Sequence, residues 1–356
     1  MFMKAEELYK ELVSMLPVQR NNKSFKDFIN DLFCTYENKV REYEGFRRFP
    51  CDLEDVITVS CYIKNIVILS YEGRSSSAFQ KLHELLDEGE KRLVHSLRHH
   101  ITNEGGENIY FYRLRKFENR RKIPYKEMFH IPFNQREKVT TQRYSIPGYP
   151  CLYLGKTTYG CWEELGRPSL DSFMISKFKT EDHLLLFDFT IPTGKEAMHP
   201  NSFLTMLLRF PFILACMIQV KNEMATFKPE YLFPQLMMEY IIEKYHRSDD
   251  KSSLSNFKGI YYTSVYKNSE FGYPDYVFNN YAIPTFETTN GTNYCPMLCD
   301  FFKLTDPTCE EYERIRTPGV INWNDNRTNY EKSSFGLVEY ALKDEERFPM
   351  RDMLPD

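Results

Sequence analysis

The feature that most constrains the fold is a change of hydrophobic period near residue 105. Before it, apolar residues recur at helical spacing. Leu8, Leu12 and Met15 share one face, and Phe25, Phe28, Ile29, Leu32 and Phe33 follow at steps of one, three and four. Ser24 is placed to cap that second helix. Asp52 with Asp55 reads as a capping box opening a third, nearly all-apolar helix over Val56 to Leu69, and Gly73 as its stop. A fourth helix is expected from Ser76 or Ser77 through Phe79, Leu82, Leu86, Leu93 and Leu97. Four such segments with short joins predict a helical bundle.

After the Gly- and Glu-containing break at Asn103 to Asn108 the pattern becomes short, aromatic and β-branched. Ile109 to Arg115, Cys151 to Leu154, His183 to Ile191, Gly259 to Ser264 and Tyr276 to Ile283 read as strands. Two helical stretches, 201–221 and 229–245, lie between them, and a weaker amphipathic helix runs from Tyr330 to Asp344. The fold class is therefore α+β. The chain divides into a helical domain over 1–105, a domain with a mixed β core over 106–305, and a C-terminal extension over 306–356.

Composition narrows the function classes. With 46 basic and 50 acidic residues the net charge is −4, so no overall basic field exists to hold a nucleic-acid backbone. The N-terminal MFMKAEELYK places acidic residues where a secretion signal needs an apolar core. The most apolar window, Phe203 to Val220, is interrupted by Arg209 and Pro211, which argues against a bilayer span. Nine dispersed cysteines suit free thiols in a reducing compartment. A cytoplasmic protein without a membrane partner is expected.

Several stock motifs fail. Gly155-Lys156-Thr157 resembles the end of a phosphate loop, but the glycine required five residues earlier is Pro150. Cys295-Pro-Met-Leu-Cys299 could offer two thiolates to zinc, but no second ligand pair sits at zinc-site spacing, so no metal site is expected. Arg92 and His99 fit the Arg-x4-6-His spacing of HEPN ribonucleases loosely. With His95, Arg98 and His100 beside them, a solvated basic helix face is the plainer reading.

One ordered set of short motifs does not fail. Arg113 sits within an otherwise aromatic and aliphatic strand. Phe129-His-Ile-Pro-Phe133 and Arg143-Tyr-Ser-Ile-Pro-Gly148 come next. Then Cys151-Leu-Tyr-Leu154 leads to Glu164, eleven residues beyond Tyr153, and Gly259-Ile-Tyr-Tyr-Thr-Ser264 closes the series. In this order the motifs resemble the RES family, over about half the chain. The helical first hundred residues look like the family's subgroup with a HEPN-type N-terminal domain. Two departures stand out: Tyr144 replaces the more usual Phe, and Glu163 beside Glu164 leaves an ambiguity that the eleven-residue spacing resolves for Glu164.

The resemblance implies a fold like that of ADP-ribosyltransferases and cleavage of the nicotinamide–ribose bond of NAD by hydrolysis or phosphorolysis, as a toxin or in antiviral defence. Two alternatives stay open: mono-ADP-ribosylation of a protein, and an idle RES fold used for binding or sensing. It implies NAD as substrate without a metal, inorganic phosphate as alternative acceptor, an antitoxin or regulatory protein as partner, and room for a homo-oligomer. By the same resemblance Arg113, Tyr153, Glu164 and Ser264 are the catalytic set, and Arg113, Arg143, Tyr153 and Ser264 hold NAD.

The chemistry suits these residue types. Arginine offers a planar fork for phosphate oxygens, a tyrosine face can stack on the nicotinamide ring, and a carboxylate stabilises the oxocarbenium-like charge at C1′. No Ser-His-Asp arrangement surrounds Ser264, which is expected to orient rather than attack. His130 is expected to order a loop, and Gln235 to support the site from its helix.

Overall fold

A computed structural model describes residues 3–47, 49–89, 91–101, 109–117, 123–180, 183–247, 254–267, 272–286, 293–309 and 328–353. The break at Asn103 to Asn108 lies outside these residues apart from its flanks. The chain is α+β and forms two compact units that are not consecutive segments. The first comprises Met1–His99, Gln142–Tyr144 and Leu186–Phe257; the second comprises His100–Thr141, Ser145–Leu185 and Lys258–Asp356.

The helices of the first unit are α1 (Ala5–Val13), α2 (Phe25–Arg41), α3 (Pro50–Tyr71), α4 (Ser75–Asp87), α5 (Lys91–Ser96), α7 (Pro200–Cys216) and α8 (Leu232–His246). Ser24 caps α2 as expected, its hydroxyl accepting from the Asp27 N–H at 3.2 Å. Gly73, at φ +77°, terminates α3 in the left-handed region that favours glycine. Helix α3 begins earlier than the proposed capping box: Pro50 opens it, and Asp52 lies inside the first turn, paired with Arg92 at 2.7 Å.

The expected fourth helix is two, ending at Asp87 and resuming at Lys91. Residues Arg98–Ile101 then form strand β1, so Arg92 and His99 do not share one helix face. That overturns the basic-face reading.

Helices α7 and α8, which sit between strands in the sequence, belong to this helical unit. Residues 206–216 of α7 are buried without interruption. Tyr36 of α2 stacks on Phe210 at 5.5 Å and donates its hydroxyl to the Leu207 carbonyl at 2.6 Å. Arg209 is held by Asp188 at 2.7 Å and Glu196 at 2.8 Å. Its charge is thereby neutralised inside the unit. Among the described residues no helix is long and apolar enough to cross a membrane.

The strands are β1, β2 (Ile109–Lys116), β3 (Cys151–Gly155), β4 (Phe173–Thr180), β5 (Leu184–Phe189), β6 (Phe257–Thr263), β7 (Asn279–Pro284), β8 (Phe302–Leu304) and β9 (Arg351–Asp352). Their order in the sheet is β1-β5-β6-β7-β3-β2-β4-β8-β9. Strand β7 starts at Asn279 because Asp275–Phe278 is a 3-10 turn. β4 was not expected, yet it pairs antiparallel with β2 over eight residues, from Ile109↔Thr180 to Lys116↔Phe173. Within the second unit Phe111 meets Tyr281 edge-on at 4.9 Å, and Tyr281 stacks on Tyr261 at 4.7 Å. Among the described residues this unit also holds the short helices α6 (Thr158–Glu164), α9 (Pro296–Phe301) and α10 (Ser334–Leu342).

Candidate active site

Arg113, Tyr153, Glu164 and Ser264 all belong to the second unit, on or beside β2, β3, α6 and β6. Strands β2 and β3 are paired through a single position, Tyr112↔Gly155. Where that ladder stops, the Arg113 side chain takes over, donating Nη1 to the main-chain carbonyl of Tyr153 at 2.9 Å. Its Nε is buried and has no hydrogen-bond partner among the described residues. Burial lowers the Arg113 pKa to about 10, with Arg115 adding to the effect, so the guanidinium keeps its charge at neutral pH.

Tyr153 shares a 2.8 Å hydrogen bond between its hydroxyl and that of buried Ser145, which fixes the ring without committing a charge. Ser264 follows β6. Its N–H donates to the Phe278 carbonyl at 2.9 Å, and its Oγ accepts from the Tyr266 N–H at 3.0 Å. That hydroxyl thus closes a local turn.

Helix α6 gives its two adjacent glutamates different surroundings. Glu163 is buried, accepting a short hydrogen bond from the Tyr159 hydroxyl and pairing with Arg167 Nε at 2.8 Å. Glu164, the last residue of α6, is only partly buried, and its Oε1 accepts from Asn280 Nδ2 at 3.0 Å. Asn280 in β7 stands opposite Gly155, so a neutral amide from the neighbouring strand orients the carboxylate.

Burial pushes the Cys161 thiol up to about 12. Glu339 and Glu164 add to that shift while Arg113 opposes it. The Arg113 cation and the Glu164 carboxylate therefore lie within electrostatic reach of one buried thiol. Cys151, Cys216 and Cys299 are likewise raised to about 12, chiefly by burial, which makes these sulfurs poor nucleophiles. All nine cysteines are free thiols.

Arg143 belongs to the first unit. There it donates Nη1 to the Cys216 carbonyl at 2.9 Å and lies over the Tyr231 ring at 5.1 Å. Gln235 donates to the Gln142 carbonyl beside it at 2.9 Å. His130 orders a loop as expected: Nδ1 donates to the Ile131 carbonyl at 2.8 Å, and Nε2 accepts from the Cys295 N–H at 2.9 Å. Among the described residues no group of three or more His, Cys, Asp or Glu side chains could hold a metal ion.

Two participants escaped sequence reasoning. Asn280 carries no signal in a strand read only for its hydrophobicity. Glu339 of α10 lies beyond the motif series, and burial raises its carboxyl to about 7. Perturbed carboxylates of that kind cluster at functional sites.

No family model matches the chain, and no solved structure matches it. It is similar to a Bacillus subtilis (strain 168) protein named "Putative toxin YopC", with 29% identity over 360 residues, covering 95% of this chain and 74% of that protein.

Proposed function

We propose that this protein is a toxin-type enzyme that cleaves the nicotinamide–ribose bond of NAD, with water or inorganic phosphate as acceptor. The observation that carries the reading is the separation of roles on α6. Glu163 is consumed by Tyr159 and Arg167, whereas Glu164, at the motif spacing, is partly exposed and oriented by a neutral amide. The name of the relative supports the toxin role.

In the reaction, the bond between C1′ and the ring nitrogen breaks, and its electron pair neutralises the nicotinamide cation. The acceptor oxygen bonds to C1′, and a water acceptor releases its proton to solvent. Glu164 stabilises the positive charge that builds at C1′ and orients the acceptor. The Nε of Arg113, without a hydrogen-bond partner among the described residues, is a donor of the kind a phosphate oxygen satisfies. Tyr153, its hydroxyl tied to Ser145, offers a fixed ring face to the leaving group.

The test is nicotinamide release from NAD by the full chain, with and without phosphate, beside Glu164→Gln. The variant should lose about 10²–10³ in rate. ADP-ribose as product identifies hydrolysis, and ADP-ribose-1″-phosphate identifies phosphorolysis. Equal release by wild type and Glu164→Gln would refute the assignment.

A further inference from the structure

We propose that Glu339, carried by the C-terminal helix α10, is a positioning residue for Glu164, because it clasps the first turn of the short helix that ends in Glu164. The inference rests on the NAD-cleavage reading and names the control of that same site.

Helix α6 has seven residues, too few to hold itself in place. Its position is set by anchors at its start. The Thr157 hydroxyl caps it, accepting from the Gly160 N–H at 3.0 Å and donating to the Val277 carbonyl. The second anchor is Glu339. Its Oε1 accepts from the Thr158 N–H at 2.6 Å, from the Thr158 hydroxyl at 2.9 Å, and from the Tyr330 hydroxyl in a short hydrogen bond. The Thr158 N–H is one of the amides that an α-helix leaves unpaired at its start, and a carboxylate there also opposes the helix dipole.

Tyr330 carries the clasp further, since its ring packs edge-on against Tyr159 of α6 at 6.4 Å and Tyr273 at 5.4 Å. The first and last residues of α6 are about 9 Å apart at the ordinary helical rise. A tilt of the first turn therefore moves the Glu164 carboxylate, and a displacement of ~1 Å at a catalytic group costs about 10²-fold in rate.

The clasp is sensitive to charge. Burial raises Glu339 to about 7, against the Tyr330 and Thr158 hydrogen bonds and the charge of Lys343. Lys156, before α6, also feels this carboxylate, as do Tyr112 of β2, Cys161 of α6 and Tyr276 of the 275–278 turn. Ionised, Glu339 holds Thr158 by charge-assisted hydrogen bonds; protonated, it holds the same atoms more weakly. The site is thus expected to tighten as pH rises through neutrality.

The test uses the full chain with Glu339→Gln, which keeps the acceptor oxygen but cannot ionise, and Tyr330→Phe, which removes one donor. Amide-exchange protection of residues 158–164 is measured at pH 8 and pH 5.5. Alongside it, kcat and KM for nicotinamide release are followed across pH.

Glu339→Gln should lower α6 protection about tenfold at pH 8 and less at pH 5.5. Its kcat should fall about 10–100-fold while KM stays within about twofold. The neutral ionisation in the wild-type kcat profile should vanish. Tyr330→Phe should be intermediate. Unchanged α6 protection in both variants, or identical kcat–pH profiles for wild type and Glu339→Gln, would overturn the proposal. If the wild type releases no nicotinamide while α6 protection still depends on Glu339, the NAD reading fails and the clasp stands.

Discussion

His130 is the clearest place where the structure fixes a protonation state, and that makes it a quantitative test. Its Nε2 accepts from the Cys295 N–H and its Nδ1–H donates to the Ile131 carbonyl. Both ring nitrogens are therefore satisfied only in the neutral ring. Protonating Nε2 would set two donors against each other in a buried site. Burial accordingly lowers the pKa to about 4; the Ile131 bond opposes this and the Arg113 charge reinforces it.

Because the folded value lies below that of the unfolded chain, the unfolded state takes up the proton first as pH falls. The contribution of His130 to stability is full above pH ~6.5 and is lost as pH drops toward 4. A displacement from 6.5 to about 4 corresponds to about 3 kcal/mol in total, of which about 2 kcal/mol is lost by pH ~5. The control is His130→Gln, whose amide oxygen can accept from Cys295 but which does not titrate. Urea unfolding of wild type and variant at pH 7.5 and 5.0 isolates the effect, since other groups cancel in the double difference. Parallel pH dependence of the two proteins would refute the assignment of a buried neutral histidine.

Other expectations concern α6 and the first unit. A Cβ at Gly160 would meet the Val277 carbonyl oxygen at 2.5 Å, so Gly160→Ala should push α6 away from the 277–278 backbone. It should cost about 1–3 kcal/mol in chemical denaturation and reduce nicotinamide release with it. Glu163→Gln should lower stability by about 1–3 kcal/mol through the Tyr159 and Arg167 bonds, yet retain far more NAD cleavage than Glu164→Gln. A Glu163→Gln protein as inactive as Glu164→Gln would reverse the assignment. Arg209→Met leaves Asp188 and Glu196 without their shared cation, and thermal unfolding should report a loss of about 3–5 kcal/mol.

Much of the fold was legible because it rests on local periodicity. Helices α1 to α3 and strands β2, β3 and β6 follow from spacing, and the Ser24 cap and Gly73 stop from residue type. Strand β4 was not legible. Its Ser176, Lys177 and Lys179 suggest a solvated segment, but Ser176 and Lys177 are fully buried, and the Lys177 ammonium lies over the Tyr110 ring at 4.6 Å. Pairing with β2, a non-local event, settles the matter. The split of the fourth helix and the appearance of β1 have the same cause, since β1 is completed by a neighbour in the sheet.

At the candidate site, sequence alone determined the order and spacing of Arg113, Tyr153, Glu164 and Ser264, and favoured Glu164 over Glu163. Those are properties of a linear pattern. Tertiary structure decided which atoms hold these groups: the Tyr153 carbonyl for Arg113, Asn280 for Glu164, and Glu339, from nearly two hundred residues away, for the start of α6. It also assigned α7 and α8 to the helical unit and Arg143 to the same unit. The physical reason is common to all of these. A charge or an amide has no periodicity, and its partner is whichever group the folded chain brings within about 3 Å.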